Sequence, residues 1–309
     1  MISQAQREVT GFLELSQKFE KKLSILGRSR STYLNYIRHL AKLSLHFNCL
    51  PTELDEDQLT DYLNLVQHEH NTPSESYFKH TIYGLRSVFK MEGIKPMDLG
   101  LPKIKKDKKL PVVLSKPEMW RLLLAPDLLK HKVLIGLLYG CGLRCFEARN
   151  VRLQDLDYDR QKLHVFQGKG KKDRYVPLSE HLIRALKVYI SAENPELWLF
   201  NGQPLENRKG GDFDSRYSQK GVQYVVSSAA KKAGILKHIN VHTLRHTYAT
   251  HLLEDGTDIM TLKNLLGHER IETTMIYLHV AQSGSIKPFS PLDTLFAVCS
   301  PSKCKPSTR

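Results

Sequence analysis

The residues best suited to chemistry lie between positions 241 and 280 of the sequence. His242 and Arg245 are three positions apart, so a helix would place both on one face, and His268 and Tyr277 follow. An arginine fork matches two phosphate oxygens, an imidazole can move a proton near neutral pH, and a phenol can become a covalent nucleophile. Together these side chains indicate a reaction at a phosphate group.

Two segments further upstream supply the groups that this set lacks. Arg144 stands in the sequence YGCGLRCFEA with Glu147 three residues later, and Lys169 lies in GKGKKDR. Cleavage of a phosphodiester needs positive donors for the non-bridging oxygens, an acid for the leaving oxygen and a nucleophile in line with it. Two arginines, one lysine, two histidines and one tyrosine supply these parts without a metal ion.

Each of these residues also has an ordinary structural explanation. Arg144 and Glu147 could form a surface pair on a helix, and Tyr277, among apolar neighbours in MIYLHV, could belong to a core. The neighbouring Lys171 and Lys172 could be confused with the reactive lysine of their segment. Such explanations are strong for one residue and weak for all of them together.

Metal binding is the other chemistry that these residue types allow. His242 and His246 have a spacing that can bind a metal on a helix, but Thr243 stands where an HExxH zinc site has its glutamate. Cys141 and Cys145 are four residues apart, and no second pair offers zinc spacing. We therefore expect no metal ion and no other cofactor.

The first hundred residues read as helices of a small bundle. Four sets of apolar residues recur at helical spacing, and they begin at Phe12, Tyr33, Leu59 and Tyr77. The surface of these helices is rich in lysine and arginine. We expect a helical N-terminal domain over residues 1–100.

A basic linker follows at residues 101–111, with the sequence LPKIKKDKKLP. Prolines bracket five lysines that have little apolar surface to bury, which favours an exposed segment along a phosphate backbone. The predicted DNA contacts of this linker are Lys103, Lys105, Lys106, Lys108 and Lys109. Further DNA contacts are predicted at Lys171, Lys172 and Arg174 in the GKGKKDR segment.

The pattern beyond the linker is mainly helical and includes one small sheet. Ser115 and Glu118 have capping-box spacing and mark the start of a helix. The short strand-like runs LHVFQ and RYVPL flank GKGKKD, which predicts a hairpin turn loaded with lysines. The predicted fold is mainly α with a small antiparallel β-sheet, with a mixed α/β catalytic domain over 112–290 and a tail over 291–309.

The bulk composition limits the partners that the protein can have. The chain has 309 residues, and 46 lysines and arginines against 32 acidic residues give a formal charge of +14, which favours nucleic acid as the partner. No run of 18 apolar residues is present, and the N-terminus lacks the pattern of a signal peptide. The odd number of scattered cysteines suits a reducing compartment. We expect a cytoplasmic DNA-binding protein without membrane contact.

The matching motifs, taken together, resemble the tyrosine recombinases, the family of phage integrases, Xer-type resolvases, and integron and transposon integrases. The pieces that carry the resemblance are GLRCFE, QGKGKKDRYVPL, HTLRHTYATHLL, LLGH and TTMIYLHV, in the order and spacing of the family over residues 112–280. The N-terminal helices, with SRSTYLNYIRHL, resemble the core-binding domain of that family.

The resemblance implies a role for each reactive residue. It implies that Arg144 and Arg245 clamp the scissile phosphate and that Lys169 is the general acid for the departing 5′-hydroxyl. It also implies that His242 handles protons beside the phosphate and that His268 supports the phosphate.

By the same resemblance, Tyr277 attacks to form a 3′-phosphotyrosyl bond and Glu147 supports the site. The implied protein is a site-specific recombinase or integrase that uses neither metal nor ATP. It would act as a homotetramer on double-stranded DNA in the bacterial cytoplasm, associated with the nucleoid, and it would serve a mobile element.

Three other functions remain open on the sequence. A non-catalytic DNA-binding regulator could keep the same fold, and a type IB-like topoisomerase could use the same chemistry to nick and reseal one strand. A metal-dependent nuclease could use the histidines. The tail over 291–309 could dock on a neighbouring subunit or pack on its own domain.

Overall fold

A computed structural model of the chain describes residues 1–69, 75–94, 110–166, 173–202 and 215–281. The chain divides into two compact units, Met1–Lys108 and Lys109–Arg309. The lysines of the predicted linker and the tail over 291–309 lie outside the described residues.

The described part of the N-terminal unit consists of five helices. They are α1 (Ile2–Glu8), α2 (Phe12–Ile25), α3 (Arg30–Phe47), α4 (Glu56–Glu69) and α5 (Glu75–Glu92). Most of the apolar residues that predicted four helices are buried along α2 to α5, as Phe19, Ile37 and Leu85 illustrate, and Tyr77 is partly buried. The sequence pattern does not predict α1, because its seven residues bury only Ala5 and contain no repeat.

The described part of the C-terminal unit contains eight helices and three strands. The helices are α6 (Lys116–Leu124), α7 (Leu129–Gly140), α8 (Cys145–Arg149), α9 (Glu180–Glu193), α10 (Gln219–Lys232), α11 (Val241–Glu254), α12 (Ile259–Leu266) and α13 (Glu272–Met275). The strands are β1 (Leu156–Asp157), β2 (Lys162–Val165) and β3 (Arg174–Pro177). Over the described ranges of both units, no helix has the length and apolar character that a membrane span requires.

The three strands form one antiparallel sheet in the order β1-β2-β3. Leu163 of β2 pairs with Val176 of β3, and both are buried against the core of this unit. Val165 and Arg174 form the last pair before the turn. The predicted hairpin is therefore confirmed, while the residues of its turn, 167–172, lie outside the described residues.

Helix α11 is buried along almost its whole length, although many of its side chains are polar. Thr247 accepts a hydrogen bond from the backbone N–H of Leu114 at 3.1 Å, and His251 Nε2 donates to the carbonyl of Leu114 at 3.0 Å. Tyr139, on α7, donates its hydroxyl proton to His251 Nδ1 at 2.9 Å. These bonds satisfy polar groups in the interior and fix α11 against its neighbours. These bonds therefore fix the position of the helix that carries His242 and Arg245.

Candidate active site

The carboxylate of Glu147 lies at the centre of a buried charged cluster. Arg144 is the N-cap of α8, where its backbone N–H donates to Glu147 Oε2 at 2.8 Å and its Nη1 donates to Oε1 at 2.7 Å. Arg174, at the start of β3, donates from Nη1 to Oε1 at 3.0 Å and from Nη2 to Oε2 at 2.8 Å. The carboxylate therefore joins two arginines from different elements through four hydrogen bonds.

This arrangement keeps Glu147 charged. Burial alone would raise the pKa of the carboxyl, but the hydrogen bonds and charge of Arg174, together with the backbone N–H and charge of Arg144, lower the pKa to about 2. The Arg144 side chain is 19% exposed, whereas the Glu147 side chain is 4% exposed. Part of the Arg144 side chain is thus accessible to a ligand, while the Glu147 carboxylate that holds it is buried.

Arg174, one of the predicted DNA contacts, is mostly buried at this cluster. Its side chain is 9% exposed, and its Nε donates to the carbonyl of Leu265 at 2.8 Å. Through these bonds it ties the start of β3 to the end of α12 and to Glu147. Its contact with DNA stays a prediction, and its observed partners give it a positioning role.

Arg245 approaches the same cluster from the first turn of α11. Its Nη1 donates to the carbonyl of Gly142 at 2.6 Å and lies 3.8 Å from Glu147 Oε2, while its Nη2 donates to the carbonyl of Leu266. Burial, and then the charge of Arg144, lower the pKa of Arg245 to about 10. The guanidinium is still charged at neutral pH, and with Arg144 it forms a pair of positive groups around one carboxylate.

The backbone carbonyl that accepts from Arg245 belongs to Gly142, a position that only glycine can occupy. Its φ of +59° lies in the left-handed region, and a Cβ at this position would lie 2.4 Å from the ring of Tyr248. Only glycine permits this close approach of the backbone to the Tyr248 ring. In this conformation the Gly142 carbonyl accepts from Arg245. The GLR sequence thus places an anchor for Arg245, the Gly142 carbonyl, two residues before Arg144.

His268 follows the glycine that ends α12, and its hydrogen bonds define its tautomer. Its Nε2 lies 3.3 Å from Arg245 Nη2, and its Nδ1 lies 2.9 Å from Thr274 Oγ1. Because a guanidinium can only donate, Nε2 is the acceptor and Nδ1 carries the proton that is donated to Thr274. Thr274 is fully buried, so this bond fixes the plane of the imidazole.

Tyr277 lies just beyond α13 and is 2% exposed. Its hydroxyl oxygen is 3.0 Å from His246 Nδ1, and its ring is parallel to that of His268, with centroids 6.5 Å apart. Burial raises the pKa of the phenol, and the charges of Arg245 and Arg144 act in the opposite direction. The phenol is therefore held beside both arginines and stays protonated near neutral pH.

His242 and His246 occupy successive turns of α11, with ring centroids 6.4 Å apart. His242 is exposed in the first turn, and partial burial followed by the charges of Arg245 and Arg144 lowers its pKa. His246 is more enclosed, and burial, His242 and Arg245 lower its pKa to about 4. Both rings are therefore neutral at neutral pH.

The structure describes seven of the predicted residues and brings them together; Arg174, the seventh, is bonded to Glu147. Arg144, Glu147, Arg245, His268 and Tyr277 share direct contacts or a common partner, and His242 lies one helical turn from His246. The predicted residues outside the described ranges are Lys103, Lys105, Lys106, Lys108, Lys109, Lys169, Lys171 and Lys172. Across the described ranges, no three histidine, cysteine or acidic side chains converge as metal ligands.

Sequence reasoning missed two contacts of this site. His246 enters it only as half of a possible metal pair, and Thr274 does not enter it at all. The available signal for His246 was its spacing of four from His242, which puts both on one helix face. For Thr274 no local signal exists, because its role depends on how the turn after α12 packs.

Residues 113–283 match the sequence model described as the phage integrase family. Among curated proteins, the chain is 32% identical over 285 residues to a putative integrase/recombinase, y4qK, of Sinorhizobium fredii, covering 91% of this chain and 89% of that protein. It is 31% identical over 273 residues to the tyrosine recombinase XerA of Thermococcus kodakarensis, covering 86% and 91% of the two chains.

Solved structures show the same fold. The XerH site-specific recombinase, in a post-cleavage complex with its palindromic difH substrate, superposes with a TM-score of 0.65 at 22% identity and covers 95% of this chain and 90% of that chain. The Tn1549 transposon integrase, in complex with circular intermediate DNA, gives a TM-score of 0.62 at 19% identity, with 92% and 98% covered.

Proposed function

The chain belongs to the phage integrase family and is a tyrosine site-specific recombinase, an enzyme that cleaves and rejoins DNA, and we propose that Tyr277 is its nucleophile. The observation that carries the proposal is the position of the Tyr277 phenol. It lies beside two arginines that share one buried carboxylate, with its oxygen on an imidazole. This is the environment that an attack on a phosphodiester requires.

Arg144 and Arg245 act as the phosphate clamp. Both are anchored on one side, Arg144 through Glu147 and Arg245 through the carbonyl of Gly142. Donors held in advance in a nearly dry site stabilise the charge that builds on the non-bridging oxygens, and they need no reorganisation during the reaction. His268, fixed by Thr274 and in contact with Arg245, supports this clamp.

Lys169 is the proposed acid for the leaving 5′ oxygen. It lies outside the described residues, but the strands on either side of its turn are described. Arg174 opens β3 directly after this turn and is bonded to Glu147, so the base of the hairpin is tied to the clamp. His242, exposed in the first turn of α11, is proposed as the proton-handling group beside the phosphate.

The proposed intermediate is a 3′-phosphotyrosyl bond. Because one phosphodiester replaces another, the energy of the cut strand is kept and rejoining needs neither ATP nor metal. The substrate is double-stranded DNA, which agrees with the charge of +14 and with the DNA in the complexes of XerH and the Tn1549 integrase. We further propose that the enzyme acts as a homotetramer in the bacterial cytoplasm, near the nucleoid, and serves a mobile element.

A Tyr277→Phe variant tests the proposal. It should bind DNA normally and form no covalent adduct, whereas Tyr248→Phe is the matched control, because the buried Tyr248 hydroxyl has no hydrogen-bond partner in the described structure. The assay incubates each protein with target DNA in the presence of a chelator and separates the products on a denaturing gel. A denaturant-resistant protein–DNA band from Tyr277→Phe would show that the nucleophile is another residue.

A further inference from the structure

His246 has no role in the reaction described so far, although its imidazole touches the proposed nucleophile. Its Nδ1 lies 3.0 Å from the hydroxyl oxygen of Tyr277, and the two ring centroids are 5.6 Å apart. We propose that His246 is a further catalytic residue, which accepts the phenolic proton of Tyr277 as the phenol attacks phosphorus. This inference rests on the proposed role of Tyr277 as nucleophile.

The geometry gives the proton a direction. Burial keeps the phenol protonated, so its hydroxyl has one proton to donate, and His246 Nδ1 is the hydrogen-bond partner that the described part of the chain supplies. With the imidazole neutral, Nδ1 accepts this bond when Nε2 carries the ring proton. The pair is therefore already aligned for transfer before DNA binds.

Helix α11 fixes this alignment. His242, Arg245 and His246 stand at positions i, i+3 and i+4, so one face of one helix carries a proton-handling group, a phosphate clamp and the contact to the nucleophile. The helix is itself pinned through Thr247 and His251 to Leu114. A base on this helix is held within hydrogen-bonding distance of the phenol, as general base catalysis requires.

Cleavage exchanges one phosphodiester bond for another. A lone pair of the Tyr277 oxygen forms a bond to phosphorus, and the bond from phosphorus to the 5′ oxygen breaks with its electron pair on that oxygen. The phenolic proton moves to His246 Nδ1, and the departing oxygen takes a proton from the acid, for which we propose Lys169. In rejoining, the 5′-hydroxyl attacks phosphorus and gives its proton back to that acid, the phosphotyrosyl bond breaks with its electron pair on the phenolic oxygen, and the proton returns from His246 to the phenolate.

The charges around His246 make the base dependent on substrate. Burial, and then His242 and Arg245 on the same helix, lower its pKa in the free protein. Arg144 faces the site from the start of α8, while His268 and Tyr277 face it from the segment after α12. A phosphate bound between the two arginines adds negative charge, which raises the basicity of the imidazole. The base is thus weak in the free protein and stronger once DNA is docked.

The test measures covalent adduct formation on a DNA substrate nicked so that the 5′ fragment diffuses away and rejoining is blocked. His246→Asn is the main variant, because its amide oxygen can accept the phenolic hydrogen bond but cannot hold the proton. We expect its adduct formation to be slower by about 10²–10⁴-fold near pH 7, with unchanged DNA affinity. The rate should rise about tenfold per pH unit toward the phenol pKa, because ionisation in solution then replaces the base.

The controls separate this role from packing. His238→Asn changes an exposed histidine in the segment before α11 and should behave as the wild type. Should His246→Asn fail to fold, as judged by its thermal unfolding, His246→Gln is measured in its place. A wild-type rate in the variant, or a slow rate with the pH profile of the wild type, overturns the proposal.

Failure of this inference can be distinguished from failure of the proposed function. If Tyr277→Phe still forms an adduct, the nucleophile is misassigned and the role of His246 falls with it. If Tyr277→Phe is inactive and His246→Asn is as fast as the wild type, Tyr277 stands and only the proton acceptor is wrong.

Discussion

Replacement of Glu147 by glutamine removes one charge from the centre of the arginine cluster and changes little else. In the wild type, Oε1 accepts from the Nη1 atoms of Arg144 and Arg174, while Oε2 accepts from the Arg144 backbone N–H and Arg174 Nη2. A glutamine has one acceptor oxygen, and its amide group would point protons at two donors. Whichever way the amide turns, one pair of donors loses its acceptor inside a closed site.

The broken ion pair and the lowered pKa of Glu147 both set the loss in the free energy of unfolding. Removing one partner from a buried ion pair destabilises a protein by about 3–5 kcal/mol, because the remaining charges stay buried without compensation. The pKa of Glu147 is lowered from 4.5 to about 2, and this difference corresponds to about 3 kcal/mol of folding stability at neutral pH. The two values agree, so we expect Glu147→Gln to lose about 3–4 kcal/mol in the free energy of unfolding.

Urea unfolding followed by tryptophan fluorescence measures this loss. Both tryptophans of the chain, Trp120 and Trp198, belong to the C-terminal unit, so their fluorescence reports on the unit that holds the cluster. Glu118→Gln is the matched control, because Glu118 is also a capping-box glutamate but pairs at the surface with Lys237. The control should lose only about 1 kcal/mol.

The pH dependence supplies a second check. Because the folded-state pKa of Glu147 is lowered, its contribution is fully present above about pH 4.5 and is lost as the pH falls toward 2. The stability gap between wild type and Glu147→Gln should therefore narrow by about 1.4 kcal/mol between about pH 6 and about pH 3.5. A gap below about 1 kcal/mol at neutral pH, or one that stays constant on acidification, would refute the reasoning.

Two further variants address the acid and the imidazole. Lys169→Ala should slow cleavage of normal DNA by about 10²–10⁴-fold, and the cleavage rate should recover when sulfur replaces the leaving 5′ oxygen. If the rate does not recover, or if a Lys171→Ala control behaves in the same way, Lys169 is not the general acid. Thr274→Val keeps the shape of the side chain but leaves His268 Nδ1–H without its partner, so adduct formation should fall about tenfold and return in Thr274→Ser. A Thr274→Val rate equal to that of the wild type would show that the imidazole needs no such anchor.

Much of the fold follows from local pattern. The apolar repeats of the N-terminal helices and the two strand-like runs around GKGKKD predict elements that the structure contains, because helix and strand periods depend on near neighbours in sequence. The short elements α1 and β1 are not predicted, since neither is long enough to display a period. Local sequence pattern therefore predicts the long elements, but it does not predict the short elements α1 and β1, which depend on packing.

The family and its type of chemistry were also readable from the sequence, because they depend on residue types, order and spacing. Arg144, Arg245, His268 and Tyr277 belong to motifs whose combination resembles one family, and the comparisons confirm that family. Their individual roles stay predictions. The described structure adds that these four residues form one cluster.

Tertiary structure alone decided how that cluster is connected. The bonds of Arg174 to Glu147 and Leu265 are one example, because the pairing of β3 with β2 and the close approach of α12 set the direction of its side chain. Likewise, the sequence offers His242 and His246 on one helix face, and only the packing of the segment after α13 puts Tyr277 on His246. Such contacts join residues far apart in the chain, so they depend on the assembled core, which residue types and spacing do not specify.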